Sequence, residues 1–321
     1  MSTLTRGVLI GLLLGALVGI GLMAHGDISA MSAVFGSFNG SAFVAALGLS
    51  FFGYLIRIVK WEAYLRRLDI ALPPLESALC SFSGMIGSIT PAGAGSVLKS
   101  FLLREAYQVP IARTAPIVVA ERLTDLLALI ILATIGVAGS GYGLTTILVG
   151  TLLVLGIVSV FAWPWAGELA LTLCTKLPFL SRIAPRLEEA LHAMQKLVGV
   201  RVFIITLCLS LIAWGGECVG AWLILQGLEG LSPSFEEATF VYAFSTVAGA
   251  LSMLPGGLIA AESSMIALLS ITAGIEASPE VATAGTLMMR FATLWFGVPL
   301  GIIALVAFRG RTKGLRASSA Q

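Results

Sequence analysis

Six ionisable side chains stand inside otherwise apolar sequence: Glu121, Arg122, Asp125, Glu217, Glu262 and Arg290. At the centre of a membrane helix a charged residue costs about 2.5–3.5 kcal/mol on insertion scales. Six unpaired would cost on the order of 15–20 kcal/mol, more than the whole stability of a typical fold. They must therefore pair, neutralise or face water. Glu121 and Asp125 are four apart and share a helix face, and Arg122 can pair with Asp125 three residues on. A guanidinium matches the geometry of a phosphate, so Arg122 and Arg290 are candidates to grip one. Glu262 or Asp125 can carry a proton or balance a cationic headgroup. The bland alternative is a set of ion pairs that hold helices together, with Glu121 merely solvated near the cytoplasmic edge. Glu217, which follows Gly215-Gly216, is open to both readings.

The elements that must position these groups are membrane helices. Of 321 residues, 58% are hydrophobic and 11% charged, against about 25% charged in an average soluble domain. Apolar runs of ~18 residues or more read as transmembrane spans. Six are expected, roughly at 7–24, 41–59, 114–138, 143–163, 202–225 and 282–307. Two further apolar regions, 75–104 and 236–273, are each split by proline and glycine. The halves of the first are about 14 residues, or ~21 Å of helix, against a ~30 Å hydrocarbon core. Such halves are expected to enter and return on the same side. The expected fold is an all-α polytopic membrane protein with six full spans and two re-entrant pairs.

The two broken regions resemble each other. Trp61 is followed by "PLESA" (74–78), and Trp222 by "SFEEA" (234–238). Each then runs to a proline and glycines, "SITPAGAG" (88–95) and "SMLPGGLI" (252–259). Each precedes a span with an early arginine, "AERLTDLLAL" (120–129) and "MMRFATLWFG" (288–297). Proline to arginine is 31 residues in the first case and 35 in the second. The order span, span, broken pair, span thus occurs twice. Three spans being odd, the second copy is inverted. The alternative is that apolar sequences resemble each other by composition alone. The chain reads as one integral membrane domain, 1–321, with a first repeat at 1–138 and a second at 139–321. A basic amphipathic linker, 164–201, is expected on the inner membrane surface. Discontinuous helices in inverted repeats surround substrate sites in transporters. Backbone broken inside a membrane is tolerated only within protein or beside a watery cavity. A helix that restarts after Pro255-Gly256-Gly257 offers free N–H groups to an anion.

The 19 lysines and arginines sort by side. None falls in 25–40, 139–142 or 226–281. Arg57, Lys60, Arg66, Arg67, Lys99, Arg104 and Arg113 gather in one intervening stretch, and the two ends and the linker hold the rest apart from Arg122 and Arg290. The positive-inside rule then puts both termini in the cytoplasm. The first broken region falls on the cytoplasmic side and the second on the outer side.

Other chemistries find no support. "GAGSVLKS" (93–100) lacks the glycine that a phosphate-binding loop needs immediately before its lysine, here Lys99. His25 and His192 are isolated, and Cys80, Cys174, Cys208 and Cys218 read as small buried hydrophobes. No metal site, cofactor or nucleic-acid partner is expected.

In this order and spacing, Arg57 with Trp61, Pro91 to Gly95, "ERLTD" (121–125), "PGGLIAAE" (255–262) and Arg290 carry a resemblance. The chain resembles the membrane domain of lysylphosphatidylglycerol synthase and its stand-alone relatives, a family that includes lipid flippases. The resemblance covers nearly the whole chain. It implies a two-repeat domain that moves a lipid between leaflets of a bacterial-type plasma membrane, and a homodimer. Two positions depart from the family pattern: Ser96 follows Gly95 where an acid is usual, and Ile259 replaces a glycine. With the chain ending at Gln321, no aminoacyl-transferring domain is expected.

The expected function is translocation of a lipid with a polar, phosphate-bearing headgroup, and the expected partners are membrane lipids. No enzyme activity is expected. Candidate substrate-binding residues are Pro91, Gly93, Gly95 and Lys99 at the first break, Glu121, Arg122 and Asp125 beyond it, and Pro255, Gly256, Gly257, Glu262 and Arg290 in the second half. Arg57, Trp61 and Glu217 are further candidates. A membrane-embedded transferase with Glu262 or Asp125 as base, or a secondary transporter of a small solute, are the alternatives. A side opening to the bilayer favours lipid over solute.

Overall fold

The computed structural model describes residues 28–90, 95–139, 199–272, 275 and 277–313, with scattered helical positions between 13 and 17 and between 149 and 176. Nearly all of the expected spans 7–24 and 143–163 and of the linker, and Pro91, Gly93, His25, His192 and Cys174, lie outside the described residues. Among the described residues the chain is helical. The helices are α1 (Ile28–Ser37), α2 (Gly40–Arg67), α3 (Pro74–Ser83), α4 (Leu98–Tyr107), α5 (Ile111–Gly139), α6 (Val200–Gln226), α7 (Phe235–Leu251), α8 (Ala260–Ile271), α9 (Pro279–Arg290) and α10 (Phe296–Arg311). Three stretches are long and apolar enough to cross a membrane: Gly40–Arg67, Arg201–Gln226 and the composite Pro279–Arg311. They coincide with three of the expected spans. A fourth expected span, 114–138, falls in α5, which has 29 residues and carries Glu121, Arg122 and Asp125.

Local chemistry sets the boundaries. Asn39 caps α2, its carboxamide oxygen accepting from the Ser41 N–H at 3.1 Å, and Arg66 and Arg67 occupy the last turn, where they oppose the helix dipole. Pro74 opens α3, at the position where its missing N–H costs nothing. Ser234 and Glu237 cap α7 reciprocally.

The second broken region is interrupted at the expected Pro255-Gly256-Gly257. In the first, the α-helix gives way at Gly84, ahead of the break expected at 89–95, of which 91–94 lie outside the described residues. After α3 the chain tightens into a 3-10 stretch, Gly84–Ile89, before α4. After α7 it makes a short 3-10 turn, Pro255–Gly257, before α8. Each break brings a glycine against another eight residues on. A Cβ built on Gly95 would lie 2.7 Å from Gly87 Cα, and one on Gly257 3.0 Å from Gly249 Cα. Between α9 and α10 a π turn, Phe291–Trp295, widens the helix. Pro299 inside α10 deprives the Trp295 carbonyl of its α-helical donor, which favours the wider turn.

The helices exchange partners across the molecule. α2 packs lengthwise on α6, α5 packs on α7, and α10 packs on α3 and the 3-10 stretch after it. Glycines allow these approaches. A Cβ on Gly53 would lie 3.2 Å from the Ala213 carbonyl oxygen, one on Gly136 2.6 Å from Phe240 N, and one on Gly301 3.1 Å from the Phe82 carbonyl oxygen. Two apolar cores result. One gathers Trp61, Tyr64, Cys80 and Leu103 and borrows Phe308 from α10. The other gathers Cys218, Tyr242, Met265 and Met289 and borrows Leu129 from α5. Cys80 and Cys218 are buried, as expected of small hydrophobes, but Cys208 is exposed because it lies on the outward face of α6.

Candidate functional site

A cavity of about 390 Å³ opens among α2, α3, α5, α6, α7, α9 and the two breaks. Its wall carries Arg57, Lys60, Lys99, Glu121, Arg122, Asp125, Glu217 and Arg290, with Ser96, Gly256 and Gly257 from the breaks. The structure therefore brings together most of the sequence candidates, from segments up to 233 residues apart between Arg57 and Arg290.

Asp125 of α5 is the hub of the largest network. It accepts from Lys60 Nζ at 2.6 Å, from Ser210 Oγ at 2.9 Å and from Arg57 Nη1 at 3.2 Å. Arg57 also reaches Glu217 of α6 at 3.0 Å, and Tyr242 of α7 donates to the other Glu217 oxygen at 2.6 Å. The Arg57 guanidinium lies 4.4 Å above the Trp214 ring, a favourable placement for a cation. Arg57, Lys60 and Trp61 recur at helical spacing on one face of α2, and Ser210, Trp214 and Glu217 on one face of α6, so the packing of these helices closes the network. Lys60 Nζ bonds Asp125, Ser210 and the Glu121 carbonyl, which uses all three of its donors. The Lys60 side chain is 2% exposed.

Two smaller groups flank the hub. Lys99 at the start of α4 pairs with Glu121 at 2.5 Å, and its ammonium lies 4.3 Å from the Trp61 ring centroid. Arg290 of α9 pairs through Nε with Glu262 Oε1 at 2.6 Å, and its Nη2 donates to the Gly256 carbonyl at 2.6 Å. The arginine thus ties α9 both to the second break and to α8. Glu262 sits in the first turn of α8, where the helix dipole favours a carboxylate. Glu262 Oε2 is buried without a partner.

Arg122 differs from the rest. Its Nη2 donates to Ser96 Oγ at 2.6 Å, and its side chain is exposed while Lys60, Lys99, Asp125, Glu217 and Arg290 are buried. The pairing with Asp125 expected from their three-residue spacing is not made. Asp125 turns to α2, where two cations meet it, and leaves Arg122 to Ser96.

Four described sequence candidates do not line the cavity, among them Pro255, whose neighbours Leu254 and Gly256 do. Glu262 lies one layer behind Arg290, Trp61 is fully buried behind Lys99, and Gly95 closes on Gly87. Sequence reasoning missed Lys60, Tyr54, Ser96, Ser210, Trp214 and Tyr242. Lys60 carried a usable signal, its place one turn from Arg57 and beside Trp61, but counted as a marker of the cytoplasmic side. Five cations and four acids now make up the set, where two arginines and four acids were apparent before. Among the described residues no three His, Cys, Asp or Glu side chains gather to hold a metal.

Comparison with known proteins identifies the family. The chain is 29% identical over 132 residues to a UPF0104 membrane protein of Methanothermobacter thermautotrophicus (strain Delta H), a match covering 40% of this chain and 38% of that protein. The matched part is thus well under half the length of the relative. Residues 8–301 match the family described as the lysylphosphatidylglycerol synthase TM region. With most of its length matched, the chain belongs to the lysylphosphatidylglycerol synthase TM region family of membrane proteins.

Proposed function

We propose that this protein is a lipid translocase, in which a polar headgroup passes through the charged cavity while the acyl chains stay in the bilayer. One observation carries the reading. The cavity wall that holds Arg57, Asp125 and Arg290 also holds Leu251, Met253 and Leu254 at the second break, and Leu251 and Met253 are 67% and 65% exposed. Charged and lipid-facing surface therefore meet at one rim. That is the shape a substrate with a polar end and an apolar end requires. A sealed pocket for a small solute would lack this edge.

The reading includes an inverted repeat, with two re-entrant pairs and both termini in the cytoplasm of a bacterial-type cell. Reciprocal packing supports the repeat: α5 of the first half on the broken helix of the second, and α10 of the second half on the broken helix of the first. The buried ion pairs remove Arg57, Lys60 and Lys99 from the positive-inside count, yet exposed Arg66, Arg67, Arg104 and Arg113 remain in that stretch. The acids described in the wall are each engaged by a cation, which makes them poor general bases and disfavours the transferase alternative.

The test is headgroup translocation in proteoliposomes, with labelled anionic, zwitterionic and cationic lipids, against vesicles without protein. Translocation above the protein-free rate is expected for at least one class, with loss in folded Arg290→Ala protein. No movement of any class overturns the reading.

A further inference from the structure

We infer that Arg122 is the anion-binding residue of the cavity and that the lipid it takes carries a singly charged phosphodiester headgroup. This rests on the translocase reading and names its substrate class. The two arginines that follow the two breaks are held differently. Arg290 is buried and neutralised by Glu262 at 2.6 Å, its Nη2 held by the Gly256 carbonyl. Arg122 is exposed to the cavity and meets a hydroxyl, Ser96 Oγ, at 2.6 Å. The other cations of the wall have carboxylates. Arg57 and Lys60 share Asp125 and Glu217, and Lys99 holds Glu121. Among the described residues the set of five cations and four acids leaves one positive charge, and the geometry locates it on Arg122.

A surplus positive charge in a membrane cavity is stabilised by an anion, and a guanidinium offers a phosphate paired parallel donors. One surplus charge balances one negative charge, which fits a phosphodiester better than a doubly charged phosphomonoester. A zwitterionic headgroup brings a cation as well, and the acids of the wall are already engaged. Ser96 fixes the guanidinium at the rim of the first break without adding a charge of its own.

The experiment measures binding to the full chain in nanodiscs. The probes are dihexanoylphosphatidylglycerol, dihexanoylphosphatidylcholine and tailless glycerophosphoglycerol. The wild type should bind the anionic lipid about tenfold or more tightly than the zwitterionic one. Arg122→Gln should lose that preference, Arg122→Lys should retain part of it, and Ser96→Asp, which places a carboxylate opposite Arg122, should weaken anionic binding. The tailless diester should bind weakly, since the headgroup alone lacks the apolar contact. Equal binding of both lipids by the wild type, or unchanged preference in folded Arg122→Gln, overturns the inference. Equal binding of the tailless diester overturns the lipid assignment. The proteoliposome assay separates the two readings. If a zwitterionic lipid moves and Arg122→Gln moves it equally, this inference falls and the translocase stands. If the anionic lipid binds through Arg122 and nothing moves, the translocase falls and the site stands.

Discussion

Gly256 of the second break lies against Ile89 of the first: a Cβ built on the glycine would be 3.7 Å from the Ile89 Cα. The two interruptions, 167 residues apart in sequence, therefore meet in space. Both line or border the charged cavity, so the irregular backbone is placed where protein and a polar space can accept its unpaired groups. Met253 and Ile259, on either side of Pro255-Gly256-Gly257, hold φ values of 59° and 71°. The β-branched Ile259 is strained there, two residues from the cavity-lining Gly257.

The glycines of the second break should differ in tolerance. Gly256 and Gly257 have φ of 62° and 66°, so alanine at either costs about 1–2 kcal/mol of backbone strain. A Cβ on Gly256 meets the movable end of Leu294 at 3.2 Å, but one on Gly257 meets Gly249 backbone at 3.0 Å. Overpacking against backbone adds about 1–3 kcal/mol. Thermal unfolding in detergent should show Gly257→Ala melting below Gly256→Ala, and both below the wild type. The reverse order would contradict this packing.

The second break was legible in sequence because proline and glycine act locally, and three of the long apolar spans because length and composition suffice. Pairing across the fold was not legible. Lys60 and Asp125 are 65 residues apart and Arg57 and Glu217 160 apart, and no local pattern joins them. The local rule even misled for Arg122 and Asp125. Their spacing permits a pair on one helix, but the tertiary offer of Lys60 and Arg57 to Asp125 is stronger. Ser96 stood out only as a departure from the family pattern; its position opposite a guanidinium gives it a role.

The hub should be sensitive to which member is removed. Asp125→Leu strands Lys60, a side chain 2% exposed, with neutral acceptors alone. Breaking a buried pair in this way costs about 3–5 kcal/mol. Lys60→Met should cost less, because Asp125 keeps Arg57 at 3.2 Å and Ser210 at 2.9 Å. The double variant should be more stable than Asp125→Leu alone, since it leaves no buried lysine without its carboxylate while Arg57 keeps Glu217 in both. Chemical unfolding of the four proteins reads this directly, and additive losses would show that the groups are not coupled.

Glycine substitutions should separate close helix contacts from open faces. A Cβ on Gly136 would stand 2.6 Å from Phe240 N, whereas one on Gly215 meets nothing within 4 Å. Gly136→Ala should push α5 from α7 and lower stability by about 1–3 kcal/mol. Gly215→Ala should be neutral or stabilise by about 0.5–1 kcal/mol through helix propensity. Matched thermal melts check the contrast, and equal behaviour of the two would argue against the α5–α7 approach.

Arg290 should resist even conservative exchange. Its Nε holds Glu262 on α8 and its Nη2 holds the Gly256 carbonyl in the break, so the rigid fork ties α8 and the break to α9. Lysine has a single ammonium and loses the fixed angle between the two bonds. Arg290→Lys should keep the charge balance, and therefore most of the stability, while freeing one partner. A hydrogen bond to a charged group contributes about 1.5–3 kcal/mol, so translocation should fall roughly tenfold or more if the break must be held in place for headgroup passage. Glu262→Gln should act differently. It keeps an acceptor for Nε but removes the charge that neutralises Arg290, so it should cost stability as well as rate. Translocation and thermal melts measured side by side distinguish the cases. A lysine variant that moves lipid at the wild-type rate would show that the Gly256 tether is structural alone.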